Sequence, residues 1–234
     1  MSVAKHVATL LATTAILAAS AAAAPLVTHH AAAATAKFPA SALTTLYDQS
    51  QTDSGTGIVS QNFESSFDQY DCEAADDFIV PDGVRWKIKE VDVVGTYFDG
   101  SGGARSVSVL FFKDKHGLPG KPKGAFDVVP RDQFGSFALR LKPGAMFKPG
   151  HYWVSVQSNQ DFITAGEWGW EVATVQRNLP AVWRNPGGGF AVGCTDWAAE
   201  TECIPQGGDH LFVLRGRVFE LADRPSARMA GNEK

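Results

Sequence analysis

Residues 106–112 read Ser-Val-Ser-Val-Leu-Phe-Phe, and this stretch decides the fold. Val107, Val109 and Phe111 fall on one face of an extended chain, with Ser106 and Ser108 on the other, because side chains alternate along a strand. Leu110 and Phe112 break the alternation at its end, so both faces are expected to be covered there.

The period of two recurs outward from this strand. Phe137, Leu139 and Leu141 repeat it, as do Tyr152, Val154 and Val156, and Phe212, Leu214 and Val218 close the series. Trp86 and Ile88 set one face, after which Val91, Val93 and Tyr97 fall on the other parity. A strand changes parity without losing its core face only by inserting a residue, so a bulge is expected near Lys89 and Glu90. Turn residues punctuate these runs at Asp82-Gly83, Asp99-Gly100, Leu118-Pro119-Gly120, Pro143-Gly144 and Pro149-Gly150. Many short strands with almost no amphipathic helix to cover a parallel sheet imply an all-β fold, an antiparallel β-sandwich of jelly-roll type.

The two ends differ from this body. Residues 1–24 read as a secretory signal peptide: Lys5 and His6 start it, an apolar run fills residues 7–19, and small residues follow at 20–24. That run is shorter than the roughly 20 residues a membrane span needs. Ser20-Ala21-Ala22 fits small-x-small cleavage, as does a site one or two residues later. Residues 25–45 are alanine-rich, carry His29 and His30, and are expected to be a mobile leader. Residues 46–221 form one domain's worth of chain, and residues 222–234 a polar, disordered tail. No second long apolar run suggests a transmembrane segment in the mature chain, so the expected location is extracellular or periplasmic.

Three cysteines in an exported chain suggest one disulfide and one thiol left over. Cys194 and Cys203 lie close together in a turn-rich segment and are the expected pair, which leaves Cys72 free, buried or used between chains. Spacing alone leaves pairs with Cys72 open. The net charge of −4 and the scattered lysines argue against a nucleic-acid partner, since phosphate binding needs a concentrated basic surface. Lys113, Lys115, Lys121 and Lys123 sit around a Gly/Pro loop and read as a solvated face.

Four of the six tryptophans fall between Trp168 and Trp197 in a glycine-rich frame. Trp168 and Trp170 share a strand face; buried, they would anchor the core, and exposed, they would stack on a sugar or partner surface. Trp183 and Trp197 carry the same two readings. Glu167 and Glu171 bracket the first pair and invite a glycosidase reading. Four residues along a strand span about 13 Å, wider than the roughly 5 to 9.5 Å between glycosidase carboxylates. A polar rim or ligand contacts fit them better. Asp76, Asp77 and Asp209, with Asp99 and Asp196, sit at apparent strand ends, where carboxylates can hold calcium or simply cap turns. No EF-hand, HExxH, G-x-S-x-G or phosphate-loop pattern occurs.

SQNFE (60–64), AADDFIVP (74–81), VDVVGTYFDGSG (91–102), YWVSVQ (152–157), GEWGWE (166–171), WRNPGGGF (183–190), GCTDW (193–197) and DHLFVLRG (209–216) run in order through the chain. In these pieces the sequence resembles a family of bacterial secreted β-sandwich proteins. The resemblance implies a strand-rich exported domain, sometimes one module of a larger surface protein, and carries no catalytic residues. A fixed cysteine at position 72 is not part of that pattern.

The functional expectation is therefore a non-enzymatic binding or adhesion module for a carbohydrate or surface partner, with stacking rings from Trp168, Trp170, Trp183 and Trp197 and contacts from Glu167 and Glu171. The competing expectations are a polysaccharide-active hydrolase or lyase using Glu167 or Glu171, and a structural envelope protein whose tryptophans are all buried.

Overall fold

A computed structural model describes residues 26–31, 38 and 41–221 of the chain. The first half forms β1 (Val27–His29), β2 (Thr44–Asp48), β3 (Asp53–Val59), β4 (Gln61–Asn62), β5 (Glu73–Val80), β6 (Val84–Val93), β7 (Gly95–Phe98) and β8 (Ser106–Asp114). The second half adds β9 (Pro119–Val128), β10 (Arg131–Gln133), β11 (Ser136–Phe147), β12 (Gly150–Asn159), β13 (Glu167–Ala173), β14 (Val182–Arg184), β15 (Ala198–Ala199) and β16 (Phe212–Glu220). Among the described residues helix is confined to a 3-10 segment at Ser65–Tyr70 and two four-residue turns, Phe162–Ala165 and Glu200–Cys203.

The strands form a four-stranded sheet (β1-β3-β13-β7), a five-stranded sheet (β10-β11-β6-β16-β2) and a seven-stranded sheet (β15-β14-β5-β12-β8-β9, with β4 beside β12). Every pair is antiparallel except β4 with β12. Rings hold the layers together. Trp168 of β13 stacks on Phe137 of β11 with centroids 5.0 Å apart. Phe78 of β5 lies 5.5 Å from Phe147 of β11, and Phe111 of β8 lies 5.0 Å from the same ring. The five-stranded sheet thus packs against both other sheets, which the chain joins where β3 runs into β4. These orders define a layered antiparallel sandwich; they do not by themselves define a jelly-roll winding.

The parity change in β6 has the expected cause. On both of its neighbours the register jumps across Lys89: Arg140 and Arg215 lie opposite Glu90, and Ala145 and Gly216 lie opposite Ile88. The extra residue lets Trp86, Ile88, Val91 and Val93 all face the core. Gly216 makes the close approach possible, since a Cβ there would stand 2.0 Å from the Lys87 carbonyl oxygen. Val218, beyond this point, turns outward and is 44% exposed, unlike the core residue its spacing suggested. On β8, Val107, Val109 and Phe111 are buried as the alternation requires. Phe112 is covered on the opposite face, in a small cluster with Ala75, Trp153 and Val182.

Within residues 25–45, where the sequence shows no clear strand pattern, the chain forms β1. Val27, Thr28 and His29 pair with Ile58, Gly57 and Thr56, and Leu26 accepts a backbone hydrogen bond from Val59. Leu26 and Val27 pack against the core, which gives this segment the apolar anchor that its alanines do not supply. The segment read as a signal peptide, the rest of the leader and the tail beyond Leu221 lie outside the described residues.

Candidate functional site

Every residue of β13 is buried. Alternation turns Trp168 and Trp170 toward the five-stranded sheet. There the indole of Trp168 donates to the Gly135 carbonyl (2.7 Å) and that of Trp170 to the Leu211 carbonyl (3.1 Å). Trp170 also stacks on His210 at 4.5 Å. Trp183 donates to the Val59 carbonyl (2.9 Å), tying β14 to β3. All three side chains are 0% exposed. A stacking platform needs a ring face open to solvent, so the platform expected of Trp168, Trp170 and Trp183 is not formed; their rings fill the core instead.

Trp197 differs. It is half-buried, edge-on to Phe112, with the Arg184 guanidinium 4.4 Å from its ring centroid. Arg184 in turn pairs with Glu73 at 2.6 Å. The ring is already occupied by a cation. The disulfide between Cys194 and Cys203, with Cα atoms 5.8 Å apart, closes the loop that carries Trp197. Cys72 is a free, buried thiol whose Sγ lies 3.3 Å from the Val59 carbonyl.

The two glutamates of β13 alternate away from the tryptophans into a second buried layer. Glu167 is 0% exposed and, among the described residues, neither carboxyl oxygen has a hydrogen-bond partner. Burial, with some help from the Asp99 charge, pushes its pKa up to about 9. Glu171 is 1% exposed; its Oε1 lies 2.5 Å from His30 Nε2 and, among the described residues, its Oε2 has no hydrogen-bond partner. Burial lifts it to about 7, against the opposing pull of His30. Burial alone would lower the His30 imidazole, but bonds to the Ala31 carbonyl and Glu171 outweigh this and raise it. The solvated rim expected of these glutamates is absent.

Asp76, Asp77 and Asp209 do gather, but as acceptors of N–H groups. Asp76 Oδ2 accepts from Gln49 Nε2 and from the His210 backbone, and its Oδ1 from the Asp77 backbone, all at 2.6 Å. Asp209 accepts from the Ala181 (3.3 Å) and Arg177 backbones. Asp77 accepts from the Leu179 backbone (3.1 Å) and pairs with His151. Burial raises all three, Asp76 well above the usual carboxylate range and Asp209 to about 6. Calcium needs six to eight free oxygens. Nearly all of these are taken, and among the described residues no group of three or more His, Cys, Asp or Glu is arranged to hold a metal ion. The cluster ties β5 to the segments around residues 177–181 and 209–210.

The hairpin joining β10 to β11 presents a large exposed ring. Asp132 shapes its turn: Oδ1 accepts from the Gly135 backbone (2.9 Å) and Oδ2 from the Tyr97 hydroxyl (2.7 Å). Phe134 sits at the tip with φ of 57° and is 97% exposed. A non-glycine residue in this left-handed region is uncommon, and here it turns the phenyl ring out into water. The available signal was Phe-Gly between Asp132 and Ser136, a turn pattern bearing a large apolar residue.

Cavities open on both flanks of this hairpin. A cleft of about 380 Å³ is lined by Tyr97, Ser101, Asp132, Gln133 and Phe134, together with Gly102 and Gly103. Gly102 lies flat against the Tyr97 ring, where a Cβ would come within 2.3 Å. On the other side, a groove of about 550 Å³ runs beside residues 125–129 and under Arg131, Arg140 and Lys142. Neither cavity is lined by Glu167 or Glu171, or by a tryptophan. No protein-family model, curated protein or solved structure matches the chain.

Proposed function

We propose that the chain is an exported, non-enzymatic binding module that takes a saccharide of a glycan or cell surface at the β10–β11 hairpin, with Phe134 as the stacking ring. The carrying observation is the 97% exposure of that ring on a turn pinned by Asp132 and Tyr97. A phenyl ring in water is unfavourable unless something covers it, and a fixed aromatic beside polar groups suits the apolar face and hydroxyl rim of a sugar. Asp132, Gln133 and Ser101 supply acceptors and donors in the adjoining cleft.

Export is supported by the basic, apolar and small-residue order of residues 1–24 and by the Cys194–Cys203 disulfide. The resemblance to secreted β-sandwich proteins agrees with it. A hydrolase or lyase built on Glu167 or Glu171 is disfavoured, because both carboxyls are sealed from substrate.

The test is calorimetric titration with polysaccharides chosen from a glycan array. At least one should bind, and Phe134→Ala should weaken it about tenfold or more, as loss of a stacking contact worth about 1.5 kcal/mol does. A flat array, or binding unchanged in Phe134→Ala, rejects the reading.

A further inference from the structure

The groove on the opposite flank of the hairpin differs chemically from the Phe134 cleft. β9 ends the seven-stranded sheet: β8 pairs with one of its edges, and among the described residues no strand pairs with the other. Such an edge presents free N–H and C=O groups, and proteins commonly guard it with proline and lysine. The first half of β9 is guarded in this way, by Pro119, Lys121, Pro122 and Lys123. The half from Gly124 onward has neither residue type until Pro130.

The cavity lies along this unguarded half. β9 and its extension contribute five consecutive residues, 125–129, to the lining. Consecutive residues of a strand point to opposite faces, so a cavity that touches all of them lies along the edge. β11 instead contributes Ala138, Arg140 and Lys142, alternate residues and hence one face. The groove is therefore bounded by a free strand edge on one side and a cationic strand face on the other, with Arg131 at the end where β10 begins.

Three cations line it against one carboxylate, Asp127, which lies 3.5 Å from the Asn159 amide. Arg140 keeps a bond of 3.0 Å to Glu90. Among the described residues Lys142 has no ion-pair partner. Five residues of edge span about 16 Å at about 3.3 Å per residue, enough for a short added strand.

We propose that this groove binds an extended acidic peptide of a partner protein. The peptide adds to β9 as a further strand and lays alternate carboxylates over Arg131, Arg140 and Lys142. Backbone pairing supplies the attachment, and the cations select for acidic side chains. The site is independent of the saccharide reading, because Phe134 takes no part in it.

The probe is an acetylated, amidated hexapeptide of alternating glutamate and valine, titrated against the full mature chain. Five companions accompany it: the same peptide N-methylated at alternate residues in each of the two registers, a lysine-valine version, the Arg131→Gln/Lys142→Gln double variant, which spares the Arg140–Glu90 pair, and Phe134→Ala. The acidic peptide should bind and slow amide hydrogen exchange at residues 125–129. N-methylation in the register that faces β9 and the double variant should each weaken binding tenfold or more, the lysine peptide should not bind, and Phe134→Ala should bind as the parent does. The proposal is overturned if the acidic peptide does not bind, if both N-methyl registers bind equally well, or if the double variant binds like the parent. Loss of peptide binding in Phe134→Ala would also overturn it, whereas loss of saccharide binding alone in that variant concerns only the hairpin cleft.

Discussion

Trp168 and Phe134 are both large rings followed directly by a glycine, yet one is 0% and the other 97% exposed. Trp168 lies on a strand with partners on both edges, β3 and β7, and a layer of rings beneath it. Phe134 lies on a two-strand hairpin whose outer strand, β10, has three residues and ends its sheet. The contrast teaches that ring size does not locate a ligand surface in this fold. What matters is whether a second layer covers the ring, and a following glycine occurs in both settings.

The largest expected effect breaks or upholds this contrast directly. Trp168→Ala should cost about 3–5 kcal/mol of folding free energy, through loss of the Phe137 stack and of the bond to Gly135. Phe134→Ala should change stability by no more than about 0.5 kcal/mol. Urea unfolding of the two variants measures both, and similar costs would show that Phe134 is not held in solvent.

The next effect concerns the buried face of the same strand. Glu167 and Glu171 titrate at about 9 and about 7 in the folded chain, above the ordinary 4.5. Between 4.5 and those values the folded state holds more protons than the unfolded one, so stability falls as pH rises through that window. Glu167→Gln removes the larger part and should stabilise the protein by on the order of 2 kcal/mol at pH 8, with little change at pH 5. Thermal melts at both values decide it: equal effects at pH 5 and pH 8 would mean that Glu167 is not a buried, partnerless carboxyl.

The smallest effect lies where β1 meets this face. His30 is raised by its bonds, so its contribution is full below 6.5, its ordinary value, and is lost as pH rises through the folded value. With the imidazole side chain 33% exposed, His30→Ala should cost less than about 1 kcal/mol, seen only on the acid side. A loss confined to alkaline pH would contradict the pairing with Glu171.

Much of the scaffold was legible in the chain because it depends on local repetition. The alternation of residues 106–112, the parity change across Lys89 and the nearness of Cys194 to Cys203 each needed only neighbouring residues to be read. The site was less legible. GEWGWE looked like the functional stretch because it gathers tryptophan and glutamate, but those residues are sealed between layers. DQFGS at 132–136 holds a single aromatic residue and no tryptophan, yet it carries the exposed ring.

By itself the sequence determined that this protein is built from alternating strands and where one of them bulges, and it favoured Cys194–Cys203 as the pair that closes a loop. Only the tertiary structure decided that both faces of β13 are covered, that Glu167 has no hydrogen-bond partner among the described residues, that Phe134 faces water and that no described strand pairs with the outer edge of β9. The reason is that alternation separates two sides of a strand without saying what lies against either. Coverage comes from segments far away in the chain, and in this sandwich coverage settles which side chains stay neutral, which stay charged and which remain free to meet a ligand.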